Sequence, residues 1–303
     1  MNWFFFSLIA LLCWSGSDLF SKIGCRDGSD RRSHLRMVTA VGVVMGLHCA
    51  YEVFIGGTEL TLRVILTYLP VSALYILSMV IGYAGLRYIE LSISSPICNS
   101  SGALVAVLTL MTAGRGEVNN GQLLAVALVI LGVIGLGVIE AREDEALRAE
   151  RQRAGNFVYS KSALALILPV VYCLLDALGT FADSIVLETL DENAANAAYE
   201  LTFFVVGLFC FFWSVCVRKD GYTLRREGPK YIAAVFETAG QLAYIYALSD
   251  SAHVMLAAPM ISSYCAVSVL WSRLFLKEKL SYKHYLAIGL VVIGIVIIGL
   301  YDI

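Results

Sequence analysis

The stretch Tyr246–Glu278, YALSDSAHVMLAAPMISSYCAVSVLWSRLFLKE, decides how the chain is organised. It is an apolar helix interrupted by a proline, and it ends in a basic and acidic cluster. A weaker copy lies 163 positions earlier. Tyr83 and Ala84 match Tyr246 and Ala247, Pro96 matches Pro259, Ser100 matches Ser263 and Ala103 matches Ala266. Upstream, Arg63 and Tyr68 match Arg226 and Tyr231 at the same offset, so no gap is needed. Both copies then reach a glutamate, Glu117 and Glu278, with a slip of two residues. The chain is two related halves in an apolar background.

Of its 303 residues 59% are hydrophobic and 15% charged, with a mean hydropathy of +0.76. A soluble domain has roughly 45–50% apolar and about 25% charged residues. The excess comes in runs of about 20 residues, each long enough to cross about 30 Å of hydrocarbon as a helix. Ten such runs lie at about 3–23, 37–56, 64–86, 92–113, 121–139, 162–186, 195–217, 230–248, 253–275 and 284–301. They lack period-two alternation and regular turn signals, which excludes a β-barrel. The expectation is an all-α integral membrane protein of ten transmembrane helices. The first run has no basic residue before Trp3 and reads as a retained helix, not a leader. The eight cysteines form no CxxC and the four histidines do not join them at ligand spacing, so no metal or other cofactor is expected. With no nucleophile–base pair and no nucleotide loop, the chain does not read as an enzyme. Nothing in it points to a nucleic-acid partner.

Of the 22 Lys and Arg, only Arg63 and Arg115 fall on one side of a ten-helix arrangement. The positive-inside rule assigns the other side to the cytoplasm and puts both termini outside, in a multi-pass protein of the plasma (inner) membrane. Five helices per half is an odd number, so the second half inserts upside down. The expected units are an inverted five-helix repeat at 1–140, a charged cytoplasmic linker at 141–160 (EAREDEALRAERQRAG over 140–155) and a second repeat at 161–303. Inverted repeats hold their substrate between the halves near the midplane.

Polar residues then fall in stripes. In the first helix Trp14, Asp18 and Ser21 share a face; a local Asp18–Lys22 pair is as good a reading of that acid as a functional one. The second helix looks lipid-facing. The third carries Tyr75. In the fourth, Ser95, Asn99 and Gly102 stack beside Pro96, which frees backbone carbonyls, and Asn99 reads as a cavity residue. The fifth, with Gly132, Gly135 and Gly137, offers a packing or dimerisation face, and a homodimer stays open. The sixth aligns Asp176, Thr180 and Asp183; a carboxylate at membrane depth costs roughly 2.5–3.5 kcal/mol, so it should face a cavity. Asp176 is the deeper, and Asp183, nearer the helix end, carries less weight. Tyr199 and Glu200 of the seventh helix read as a solvated rim. Glu237, Gln241 and Tyr244 stripe the eighth, and Tyr264 marks the ninth. No Lys or Arg lies at midplane depth, so Asp176 and Glu237 should take up a proton or await a cationic ligand.

These features resemble the EamA-type members of the drug/metabolite transporter superfamily. LLCWSGSDLFSKIG is similar to their opening motif, the blocks Pro96–Glu117 and Pro259–Glu278 to their repeated proline-to-"GE" segment, and Gly294 fits their closing glycine-rich helix. The resemblance implies a carrier for small metabolites, with a cavity lined by the first, third, fourth, sixth, eighth and ninth helices. The chain departs from the family at Asp18, where an apolar residue is common, and at Asp176, where an apolar or aromatic one is. The expected activity is secondary transport, by alternating access, of a small organic metabolite: an amine, choline-like cation or amino acid. Trp14, Tyr75, Asn99, Asp176, Glu237, Gln241, Tyr244 and Tyr264 are the candidate substrate residues. Asp176, Glu237 and Asp18 are the candidates for coupling to a proton or cation. The alternatives are a proton-coupled exporter of neutral metabolites or drugs and a membrane scaffold without turnover.

Overall fold

The computed structural model describes residues 2–25, 32–88, 91–112, 118–142, 163–277 and 280–302. Glu117, Glu278, Arg115 and nearly all of the charged linker lie outside them. The described residues form α-helices and no strand. The helices are α1 (Trp3–Cys25), α2 (Ser33–Tyr51), α3 (Leu62–Gly85), α4 (Leu91–Cys98), α5 (Ser101–Thr112), α6 (Asn120–Ala141), α7 (Ala163–Val186), α8 (Glu192–Phe211), α9 (Leu224–Leu248), α10 (Val254–Ser262), α11 (Tyr264–Phe275) and α12 (Tyr282–Asp302). Both α2 and α8, the second helices of the two copies, continue into a π-helical turn, Glu52–Gly56 and Phe212–Val217.

Among the described residues eight stretches are long and apolar enough to cross a membrane. Ser94–Thr112 and Ser251–Phe275 are two of them, each a span broken between two α-helices. α9 falls outside the eight because Glu227, Lys230, Glu237 and Gln241 dilute its apolar residues, and the apolar part of α12 is the shorter Tyr282–Ile298. Two helices start earlier than hydropathy suggests, α2 at Ser33 and α9 at Leu224. Their charged first turns pair with each other. Arg36 sits 3.4 Å from Glu227, Lys230 donates to Glu227 at 2.6 Å, and all three are buried. Arg36 also donates to Gly221 O at 2.7 Å.

The broken spans follow from their prolines. Pro96 and Pro259 each lack an N–H and crowd the carbonyl one turn back. The helix yields just after them, at Asn99–Ser100 and at Ser263, where Ser263 N turns back to Pro259 O at 3.1 Å. Ser100 and Ser263 are the matched positions of the internal repeat.

Helix pairing repeats the same relation. α1 packs on α9, α3 on α7, α2 on α8, α6 on α12, α5 on α10 and α4 on α11. Exchanging the halves turns α1–α9 into α7–α3 and α5–α10 into α11–α4. It returns α2–α8 and α6–α12 to themselves. The α6–α12 seam is reciprocal in detail. A Cβ on Gly132 would lie 2.5 Å from Val291 and 2.8 Å from Ala287 O. One on Gly294 would lie 2.6 Å from Val129 and 2.8 Å from Ala125 O. The glycine face foreseen for packing or dimerisation is thus filled at Gly132 by α12 of the same chain. The second helix, expected to be lipid-facing, instead buries Met37, Val38, Ala40 and Val41, because Gly42 and Gly207 let α2 and α8 touch backbone to backbone.

This seam makes a prediction. Gly132→Ala and Gly294→Ala each overpack it and should cost about 1–3 kcal/mol. Gly135→Ala meets only Ala287 Cβ at 3.8 Å and should be tolerated. Thermal unfolding of the detergent-purified variants checks this, and equal melting temperatures for all three would contradict the seam.

Candidate functional site

α1 and α9 run antiparallel, with Ser17 against Glu237 and Trp14 against Gly240. A Cβ on Gly240 would come within 2.5 Å of the Trp14 ring, so glycine lets the indole lie close on α9. α3 and α7 also run antiparallel, since Tyr68 meets Asp183 and Gly82 meets Tyr172. The two broken spans, α4/α5 and α10/α11, complete a cavity between these pairs.

Three carboxylates line it, from three helices, and each takes a hydroxyl from a different helix. Ser95 donates to Asp18 at 2.5 Å, Ser101 to Asp176 at 2.7 Å and Ser17 to Glu237 at 2.6 Å. A carboxylate has about four acceptor sites, so each keeps capacity for a ligand. All three acids are partly exposed, and Glu237 is within electrostatic reach of Asp18 and Asp176. Among the described lining residues none is Lys, Arg or His. Aromatic rings form much of the remaining wall. Trp14 packs on Tyr244 (centroids 5.0 Å apart) and Tyr264 (5.8 Å), and Tyr75, Tyr83, Tyr172 and Tyr199 join them.

The cavity extends toward Ser21, Leu86 and Leu91. There Lys22 donates to Leu86 O at 2.7 Å, while Asp18 turns to Ser95, so the local Asp18–Lys22 pair is replaced by contacts between helices. The opposite end is closed by hydroxyls. Tyr75 and Tyr244 hydrogen-bond to each other. Thr180 Oγ1 lies 3.2 Å from the Tyr75 hydroxyl and 3.1 Å from that of Tyr244. Behind them Tyr68 donates to Asp183 at 2.7 Å, and neither residue is exposed.

All eight candidate substrate residues and Asp18 lie on this one cavity wall. Asn99 differs in kind: its amide donates to Ser95 O at 2.8 Å, at the helix break. Two expectations are corrected. Tyr199 and Glu200 are not a solvated rim: Tyr199 is 1% exposed and lines the cavity, and Glu200 is fully buried. Glu200 meets His48 at 2.9 Å and Asn196 at 3.1 Å. The alanines Ala194, Ala195, Ala197 and Ala198 explain this, because they let α8 pack tightly and exclude solvent even near its end. Asp183, given little weight for the same reason, is equally buried. Residues that sequence reading passed over include Tyr172 and Ser17. Tyr172 lies one turn from Asp176 on its own stripe, a signal available in the spacing.

Residues 162–300 match the EamA-like transporter family. The resemblance drawn from the motifs is thereby supported over the second copy, and the internal repeat ties the first copy to it. No curated protein matches the chain. A solved structure described as "Crystal structure of protein" is similar, with a TM-score of 0.63, over 99% of this chain and 96% of that one. At 13% identity that likeness is one of fold alone. The apolar helices fit a multi-pass membrane protein in a lipid bilayer, and the family match points to a transporter of small molecules.

The closed end can be tested by subtraction. Tyr68→Phe removes a buried donor from Asp183 and should cost about 1–3 kcal/mol. Tyr83→Phe removes a hydroxyl that has no hydrogen-bond partner and should leave the unfolding transition nearly unmoved. Equal shifts in the two variants would contradict this assignment.

Proposed function

We propose that the chain is a secondary transporter for a small organic cation or zwitterion, working by alternating access between two inverted five-helix repeats. The carrying observation is the cavity lining: three carboxylates, a wall of aromatic rings and, among the described lining residues, no basic side chain. Carboxylates in such a place favour a cationic ligand or a proton. Aromatic faces attract ammonium groups at roughly 0.5–2 kcal/mol each. The same acids, Asp176 and Glu237 with Asp18, carry the coupling proton or cation in this reading. Ten spans, with α4/α5 and α10/α11 counted once each, are supported by the exchange symmetry of the helix pairs and by the matched breaks. Interfaces that return to themselves on exchange suit rocking of one repeat against the other.

The charge asymmetry supports both termini outside and the Ser21–Leu86–Leu91 end of the cavity toward the cytoplasm, in a protein of the plasma membrane on this reading. The hydroxyl cluster around Asp183 is then the closed outer end, and the conformation is inward-facing. A reporter fused after Ile303 that is active only in the cytoplasm should stay silent; a signal would overturn the orientation.

The function is tested by charge movement on a solid-supported membrane bearing liposomes of the purified protein. Pulses of small amines should evoke current that Glu237→Gln or Asp176→Asn reduces at least tenfold. Current with neutral solutes only, and only under a proton gradient, would replace this reading with proton-coupled transport of neutral compounds.

A further inference from the structure

The number of acids in the cavity exceeds what one ammonium group needs. Asp18, Asp176 and Glu237 come from α1, α7 and α9, and each accepts from a serine hydroxyl, with no basic side chain among the described lining residues. The nearest described cation on α1, Lys22, lies one turn from Asp18, and its Nζ donates to Leu86 O at the cavity's end. A singly charged ligand can compensate one carboxylate and leaves the others facing each other across a poorly screened space. Two ammonium groups joined by an alkyl chain can meet acids on two helices, with the aromatic faces of Trp14 and Tyr244 beside the chain.

A second observation is independent of the charges. Tyr83 lines the cavity and is 6% exposed. Its hydroxyl has no hydrogen-bond partner. Buried polar groups in folded proteins are almost always paired, so this hydroxyl is placed to meet a polar ligand. A primary ammonium offers three N–H groups, one of which the Tyr83 hydroxyl oxygen can accept. A quaternary ammonium offers none.

We propose that the cavity selects an organic dication, a linear primary diamine, over singly charged and quaternary amines. This deepens the cation reading above and rests on it.

The test is binding to the full-length purified protein, measured by calorimetry with 1,4-diaminobutane, butylamine and choline. The diamine should bind at least tenfold more tightly than either monocation. Asp176→Asn and Glu237→Gln should each remove that preference while butylamine affinity changes less. Tyr83→Phe should weaken diamine and butylamine together. Each variant's unfolding transition reports whether it is folded, and the wild-type ranking decides the matter without them. Butylamine or choline binding as tightly as the diamine overturns the dication inference and leaves the cation reading standing. No binding by any of the three overturns both.

Discussion

Hydrocarbon gives a carboxylate neither water nor a counter-charge, and most of this structure can be read as the answer to that constraint. Asp18, Asp176 and Glu237 sit on three helices that would otherwise be ordinary apolar spans. Each is drawn to a hydroxyl on a different helix, so the serines tie α1 to α4 and α9, and α5 to α7. Neutral donors satisfy part of a carboxylate's demand, and the rest is left to the cavity. The same constraint shapes the backbone. Carbonyls freed by Pro96 and Pro259 are tolerated because the breaks lie against protein and cavity, not lipid.

Acids elsewhere in the bundle meet the constraint differently. Glu227 takes Arg36 and Lys230, and Glu200 takes His48 and Asn196. Asp183 takes Tyr68, with Tyr75 also in reach. These groups lie where helices pack without space between them, and each is matched by protein. The contrast between acids matched at the packed ends and acids facing the cavity in the middle is what the proposed cation site rests on.

Much of this was legible because polar residues are rare in such a chain. When Asp18, Asp176 and Glu237 each recur with a partner at helical spacing, the facing side is plain from sequence, and the structure puts those stripes on one cavity. Depth was less legible. Distance from a helix end misplaced Tyr199 and Glu200, because burial there depends on how closely small residues let neighbours approach, and that is a property of pairs. Nor could spacing separate a cavity tyrosine such as Tyr83 from those expected at a membrane interface. The repeat did locate the breaks: Pro96 and Pro259 mark the spans, although the chain yields a few residues later, at Ser100 and Ser263.

The α6–α12 seam has one more consequence. Gly132 receives Val291 while Gly294 receives Val129, so both helices use one and the same surface. A surface complementary to itself is what a two-fold dimer requires. Nothing at this seam obliges the two halves to share a polypeptide. A free-standing five-helix unit with this face would already hold the means to pair with an upside-down twin. Fusion then turns a concentration-dependent encounter into a permanent one, and leaves each copy free to specialise its side of the cavity.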